Sequence, residues 1–155
     1  MTTLDALTTR VQVCAYERLV PELGVAALVG DLQVALFRLS DGQVHAVQNL
    51  DPFSGASVIS RGITGSKGDE PTVASPVYKQ VFSLVTGRCL ADLDKQPRSG
   101  LGRDLAVFGV AVEDGQVIVE VPLEIVEVPL EMSLEFGQDE EFGQGLGFGQ
   151  ERRAS

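Results

Sequence analysis

Short apolar segments divided by two-residue turn signals are the feature that most restricts how residues 1–121 can fold. Asp41-Gly42 and Asp114-Gly115 each separate two runs rich in branched residues. Glycine supplies the positive φ that a tight hairpin turn needs, so each dipeptide predicts a hairpin. No long segment of this region has apolar residues at i, i+3, i+4 and i+7, the pattern of an amphipathic helix. The region is therefore predicted to be all-β, a small β-sandwich or barrel.

The predicted strands leave two long connections, residues 49–71 and 91–104. Long connections in a compact β domain are usually functional or disordered. Residues 65–70 lack the glycine and lysine spacing of a phosphate-binding loop, so we expect a flexible loop there. The clearest strand is the last, where valine occupies every second position. The predicted strands are residues 11–16, 24–29, 32–39, 43–48, 72–75, 80–85, 88–90, 105–113 and 116–121.

Charge and hydropathy exclude several classes of partner. The formal net charge is −10 and the sequence pI is about 4.4. An acidic chain repels the phosphates of nucleic acids and anionic membranes, so neither is an expected partner. No signal peptide is visible, nor an apolar run of the roughly 20 residues that a membrane span needs, and we expect a cytoplasmic protein. Cys14 and Cys89 are expected to be separate thiols, because disulfides are rare in that compartment.

Residues 122–155 differ in composition from the rest of the chain. They contain eight acidic and two basic residues, and Phe-Gly-Gln recurs three times at a spacing of six. Glycine, glutamine and glutamate with isolated phenylalanines cannot build a core. We therefore predict that the chain divides into a folded domain over residues 1–121 and a disordered, acidic, low-complexity C-terminal tail over residues 122–155. The alternative is a short amphipathic helix over residues 123–134 that forms on a partner.

Two segments inside the predicted domain resemble the two cluster-binding loops of a Rieske ferredoxin. They are Asn49-Leu-Asp-Pro-Phe-Ser-Gly-Ala-Ser-Val58 and Ala74-Ser-Pro-Val-Tyr-Lys-Gln-Val-Phe-Ser-Leu-Val-Thr-Gly87. The resemblance implies a Rieske-like fold with two loop insertions. The residues that match the frame of these loops are Pro52, Gly55, Ala56, Pro76, Phe82, Leu84, Thr86 and Gly87.

The four positions that hold the cluster in that family carry other residues here. Asp51 and Ser75 stand at the cysteine positions, and Phe53 and Tyr78 stand at the histidine positions. A Rieske centre needs two thiolates on one iron and two imidazoles on the other. Aspartate is a harder ligand than thiolate, serine is a poor ligand and phenylalanine has no donor atom. We therefore predict no metal, cofactor or catalytic residue on this chain, and we expect Asp51 to cap a turn through backbone amides.

A Rieske-like loop frame without its four cluster ligands resembles one family in particular, the small subunit of the assimilatory NAD(P)H-dependent nitrite reductase. The resemblance covers about residues 10–121. The matching strings are Asn49-Leu-Asp-Pro-Phe53, Ser60-Arg-Gly62 and Ser75-Pro-Val-Tyr-Lys-Gln80. This resemblance implies a noncatalytic subunit of an oxidoreductase that acts in nitrate assimilation. The large subunit of that family is a separate chain that carries FAD, sirohaem and a [4Fe–4S] cluster and reduces nitrite to ammonium.

The resemblance also suggests where a partner would bind. Phe53 and Tyr78 either fill the space of the lost cluster or form an exposed aromatic patch, since aromatic residues are enriched at interfaces. Positive charge from Arg61, Lys67 and Lys79 is expected around the two loops. The candidate partner interface is therefore Phe53, Arg61, Tyr78 and Lys79. The alternatives are a Rieske-type [2Fe–2S] electron-transfer component and a free-standing protein-binding module.

Overall fold

The structure is a computed structural model, and it describes residues 8–122. The predictions for residues 1–7 and for the tail after Pro122 lie outside the described residues. Within them the fold is all-β, as predicted, with short 3-10 turns at Tyr16–Arg18 and Ile59–Arg61. The strands are β1 Thr8–Ala15, β2 Gly24–Val29, β3 Leu32–Arg38, β4 Val44–Gln48, β5 Ile63–Lys67, β6 Glu70–Ala74, β7 Val81–Ser83, β8 Cys89–Ala91, β9 Val107–Glu113 and β10 Gln116–Pro122.

The larger sheet has six strands in the order β1-β10-β9-β4-β3-β2, and every neighbouring pair is antiparallel. Its inner face encloses one apolar core. The alternation predicted for the last strand places Val117, Val119 and Val121 in this core, each fully buried. The other core members are Leu19, Val29, Val34, Leu36 and Ala46.

The smaller sheet, β5-β6-β7-β8, comes from the segment between β4 and β9 and covers the opposite face of β3. Val34 and Leu36 point into the first core, whereas Ala35 and Phe37 point into a second core beneath the smaller sheet. Because both faces of β3 are covered, its central residues form a continuous apolar run rather than an alternating one. The second core also contains Leu39, Val47, Phe53, Ile59, Val73, Phe82, Leu84 and Leu105.

The prediction that residues 65–70 form a flexible loop is wrong. β5 and β6 form a hairpin in which Lys67 pairs with Glu70 across a two-residue turn, Gly68-Asp69. Gly68 has a φ of 63°, which glycine adopts at no steric cost. The Ser83 hydroxyl also donates a hydrogen bond to the Glu70 carboxylate and holds the hairpin against β7.

The two cysteines lie in different sheets, as expected of separate thiols. Cys14 is in β1 and Cys89 is in β8, and both are free and half-buried. Burial raises the pKa of both thiols. The described part of the chain contains no helix that is long and apolar enough to cross a membrane.

Candidate functional site

The first loop, residues 49–58, is fastened to its surroundings by a buried asparagine. The Asn49 side-chain amide donates to the Gln33 side chain at 3.0 Å and to the Ser57 carbonyl at 3.2 Å. Its carbonyl oxygen accepts from the Ser60 amide at 2.7 Å. These bonds attach the loop to β3 and to the turn at Ile59–Arg61, so the backbone at Asp51 has a fixed position.

The two residues at the cysteine positions bond directly to each other. The Ser75 hydroxyl donates to Asp51 Oδ2 at 2.6 Å, and the Ser54 hydroxyl donates to the same oxygen at 2.8 Å. Asp51 Oδ1 accepts from the Phe53 amide at 2.9 Å, which confirms the turn-capping role predicted for Asp51. Asp51 and Ser75 are fully buried. Their hydrogen bond therefore ties the first loop to the second loop, residues 75–80, at the place where two thiolates would share an iron.

Phe53 is a core residue, so the hypothesis of an exposed aromatic patch is wrong for this side chain. Phe53 is 3% exposed, and its ring lies 6.1 Å from the ring of Phe82 in a tilted arrangement. The hypothesis that it fills the space of the lost cluster agrees with this position. A buried phenylalanine contributes to the stability of the loops and offers no contact to a partner.

Tyr78 takes the opposite position, on the surface of the second loop. It is 44% exposed, and the ammonium group of Lys95 lies 4.8 Å from the centre of its ring. Lys79 follows with a φ of 70°, and its amide donates to the Ser75 carbonyl at 3.1 Å. The second loop thus turns sharply and presents Tyr78 and Lys79 outward.

A third loop, residues 92–104, contributes to this site, and sequence reasoning gave it no specific role. The Arg98 amide donates to the Pro52 carbonyl at 2.8 Å, and its guanidinium donates to the Ser54 carbonyl at 3.1 Å. Arg103 forms an ion pair with Asp92 at 2.5 Å. The Asp94 amide and this guanidinium hold the pKa of the Asp92 carboxyl below its ordinary value. The third loop is therefore fastened over the first one.

The second and third loops together carry an apolar surface with a basic rim, which we call the tip patch. Its apolar members are Val77, Tyr78 and Leu93, which are 42%, 44% and 54% exposed. Its basic members are Lys79, Lys95 and Arg98, all exposed. The Gln80 side chain links the two loops by donating to the Asp92 carbonyl at 3.4 Å. Asp94, between Leu93 and Lys95 in the chain, is also exposed, so three cations and one carboxylate surround the apolar members.

The remaining two predicted cations lie in different places. Arg61 ends a 3-10 turn and precedes Ile63, which pairs with Ala74, so its backbone lies at the same end of the smaller sheet as Ser75. Lys67 is four residues further along β5, in the hairpin at the opposite end of that sheet. The expectation that Lys67 lies around the two loops is therefore wrong, because the β5–β6 hairpin carries it away from them.

The residues present do not fit a Rieske [2Fe–2S] cluster. The side chains of Asp51 and Ser75 are joined by a hydrogen bond, Phe53 has no donor atom and Tyr78 points outward. Within residues 8–122, no three His, Cys, Asp or Glu side chains converge in a way that could hold a metal ion. At the two cysteine positions, a hydrogen bond between protein side chains joins the first and second loops.

Comparison with known proteins gives a match to a domain family and to several individual proteins. Residues 9–120 match the Rieske-like [2Fe–2S] domain family. The chain is 47% identical over 81 residues to the nitrite reductase (NADH) small subunit of Escherichia coli strain K12, which is 52% of this chain and 75% of that protein. A Mycobacterium tuberculosis crystal structure described as an NADH-dependent nitrite reductase small subunit matches with a TM-score of 0.64 and 46% identity, covering 74% of this chain and 96% of that one.

A third relative is a much larger protein. The chain is 46% identical over 107 residues to the nitrite reductase NAD(P)H large subunit of Klebsiella oxytoca. That match covers 69% of this chain but only 10% of the Klebsiella protein. In the Klebsiella protein a domain like this one is thus part of a longer polypeptide.

Proposed function

Because the chain belongs to the Rieske-like [2Fe–2S] domain family and, within it, to the small subunits of NADH-dependent nitrite reductase, we propose that it is the noncatalytic subunit of such an enzyme. It binds a separate large subunit in the cytoplasm. That subunit carries FAD, sirohaem and a [4Fe–4S] cluster, and it reduces nitrite to ammonium with electrons from NAD(P)H in nitrate assimilation. This chain supplies no redox group and supports the complex by docking.

The observation that carries the proposal is the hydrogen bond between Asp51 and Ser75. In a redox domain the residues at these positions would hold an iron. Here the same two positions hold the first and second loops together through a bond of 2.6 Å between fully buried groups. The shape of the loops is thus maintained by protein atoms alone, and a maintained surface without a redox group supports a binding role.

The Klebsiella large subunit supports the choice of partner. A segment similar to this chain accounts for 10% of that protein. Two units that occur within one polypeptide in a relative are held at high local concentration there. This favours the view that the two units work in contact when they are separate chains.

The tip patch is the surface that we propose for docking. Its centre, Val77, Tyr78 and Leu93, offers apolar and aromatic groups of the kind that form the buried centre of interfaces. Its rim of Lys79, Lys95 and Arg98, with Arg61 at the same end of the sheet, is positively charged. The partner surface should therefore combine an apolar hollow with acidic residues around it, because complementary charge speeds association and fixes orientation.

The test is co-purification of this chain with the candidate large subunit, together with an assay of nitrite-dependent NAD(P)H oxidation with and without the chain. Tyr78→Ala and Lys79→Glu should each weaken the complex by about tenfold or more, the range of a central interface residue and of a reversed charge. Lys67→Glu is the matched control, because it makes the same charge change on an exposed lysine at the opposite end of the smaller sheet.

Three results would contradict the proposal. The first is the absence of a complex, with NAD(P)H oxidation the same with and without this chain. The second is equal weakening by Lys67→Glu and Lys79→Glu, which would show a general charge effect. The third is a coloured protein after incubation with iron and sulfide, which would favour an electron carrier.

A further inference from the structure

The third loop begins with a tight turn over Asp92-Leu93-Asp94-Lys95, which we call the leucine turn. The Lys95 amide donates to the Asp92 carbonyl at 3.1 Å and closes it. Both central residues have left-handed backbone, with a φ of 56° at Leu93 and 63° at Asp94. Positive φ at both central positions is the requirement of a type I′ turn, where asparagine, aspartate and glycine are preferred. Asp94 therefore suits its position, whereas Leu93 does not.

Leu93 is a strained residue that lies on the surface. Positive φ brings the Cβ atom of a bulky residue too close to the following carbonyl oxygen. Of the five non-glycine residues with positive φ among residues 8–122, only Leu93 has an apolar side chain. It is 54% exposed and belongs to neither core. The strain at Leu93 is thus not offset by burial in either core.

Asp92 holds the leucine turn in this conformation. Its Oδ1 accepts from the Asp94 amide at 2.9 Å, and its Oδ2 accepts from the Arg103 guanidinium at 2.5 Å. Its carbonyl also accepts from the Gln80 side chain at 3.4 Å. Strained residues persist only where the surrounding structure fixes them with several contacts. Asp92 is therefore a positioning residue that keeps Leu93 at the surface.

Strained backbone is concentrated at the tip patch. Three of the five non-glycine residues with positive φ in the described part of the chain belong to this region, namely Lys79, Leu93 and Asp94. The ammonium group of Lys95, at the end of the leucine turn, lies 4.8 Å from the centre of the Tyr78 ring in the second loop. Clusters of strained residues are typical of binding sites, where a fixed geometry serves the interaction.

We propose that Leu93 is the anchor of the tip patch, and that it enters an apolar pocket of the large subunit when the two chains dock. The inference rests on the proposed function, because the occupant of the patch is that large subunit. Lys79 and Lys95 belong to the rim of the same patch, so carboxylates should border the pocket. A side chain that is already fixed in its binding conformation loses little conformational entropy on docking, which is what the strained turn supplies.

Dissociation constants of the full chain with the purified large subunit, measured by biolayer interferometry, test the anchor. Leu93→Asn should raise the dissociation constant by about tenfold or more. Asparagine adopts the left-handed backbone readily but has no apolar side chain to insert. Leu93→Met should bind within about threefold of the wild type, because it keeps an apolar side chain of similar volume.

Leu23→Asn is the matched control, because Leu23 is 60% exposed and is not among the residues with positive φ. The next residue, Gly24, pairs with Phe37, whereas the first loop is attached to Gln33 near the other end of β3. Leu23→Asn should leave the dissociation constant unchanged. In urea denaturation of the free chain, the midpoint of Leu93→Asn should be about 0.3 M higher than that of Leu23→Asn, because asparagine relieves strain only at position 93.

Asp92→Ala tests the positioning role. It should raise the dissociation constant by about threefold or more, because Leu93 is then no longer fixed before docking. Hydrogen exchange of the Asp94 and Lys95 amides in the free chain should become faster, while the urea midpoint should change by less than about 0.3 M. Asp92→Asn keeps an acceptor for the Asp94 amide, so it should bind more tightly than Asp92→Ala.

The inference is overturned, and the proposed function stands, if the wild-type chain binds the large subunit and Leu93→Asn binds it equally tightly. Equal weakening by Leu23→Asn and Leu93→Asn also overturns it, as does unchanged binding by Asp92→Ala when exchange at the turn is faster. If the free chain self-associates and Leu93→Asn abolishes this, the anchor serves a second copy and the inference is wrong. If the wild-type chain does not bind the large subunit, the proposed function fails and the inference fails with it.

Discussion

Replacement of Ser75 with alanine removes the hydrogen bond that joins the first and second loops. The Ser75 hydroxyl donates to Asp51 Oδ2 at 2.6 Å, and both residues are fully buried. A hydrogen bond to a charged group contributes about 1.5–3 kcal/mol, so we expect Ser75→Ala to lower the free energy of unfolding by about 2 kcal/mol. Water cannot replace the lost hydroxyl easily at a buried site, which is why the cost should not be small.

Urea denaturation measures this loss. For a domain of this size the unfolding free energy falls by about 1–3 kcal/mol per molar urea, so the midpoint should fall by about 1 M. Asp51→Ala should cost more, about 3 kcal/mol, because it leaves the hydroxyls of Ser54 and Ser75 and the amide of Phe53 without their acceptor. Ser99→Ala, on the exposed part of the third loop, controls for the loss of a hydroxyl.

A double-mutant cycle then separates the bond from the rest of the site. Asp51→Asn and Ser75→Ala should show a coupling energy of about 1 kcal/mol or more, because the two side chains contact each other. The reasoning is refuted if Ser75→Ala shifts the midpoint no more than Ser99→Ala does. In that case the first loop is held by Asn49 and Arg98 rather than by the bond between the former ligand positions.

Two further predictions concern stability. Phe53→Ala should lower the free energy of unfolding by about 3 kcal/mol, whereas Tyr78→Ala should change it by less than about 1 kcal/mol. The reason is that the Phe53 ring is buried and the Tyr78 ring is on the surface. Equal effects of the two substitutions in urea denaturation would contradict this prediction. Desolvation lowers the pKa of His45 below its ordinary value, so the unfolded chain binds the proton more readily and stability should fall as pH drops below about 6.5. His45 is the one histidine in the sequence. If the urea midpoint falls between pH 7.5 and 5.5 by the same amount in His45→Gln as in the wild type, other groups cause the effect.

Local sequence signals predicted most of the strands but missed one. β2 was predicted with the same bounds as observed, and the last hairpin has its turn at Asp114-Gly115. β5, Ile63–Lys67, lies in the segment that was expected to be a long connection with a flexible loop. The signal was present, since Gly68-Asp69 is itself a two-residue hairpin turn between Lys67 and Glu70.

The candidate site was predicted in part. The resemblance of the two loops identified Asp51, Phe53, Ser75 and Tyr78 as one group, and the structure brings Asp51 and Ser75 into contact. The role of the third loop was not predicted. Its attachment depends on the backbone of Arg98 meeting the carbonyl of Pro52, and a bond between backbone groups so far apart leaves no pattern in the side chains.

Turn dipeptides and alternating valines act over a few residues, so the sequence by itself determined the all-β class and most of the strands. It also showed directly that the four cluster-ligand positions carry other residues. Tertiary structure alone decided which of the two aromatic residues is buried. Phe53 lies against Phe82 and beneath Arg103, whereas Tyr78 stands on a turn that points away from both cores. Burial depends on which distant segments close over a side chain, and both residues have aromatic side chains that suit either environment. The sequence therefore indicated that Phe53 and Tyr78 belong to the site. Only the tertiary structure shows that Arg103 of the third loop covers Phe53, while Tyr78 stays on the surface.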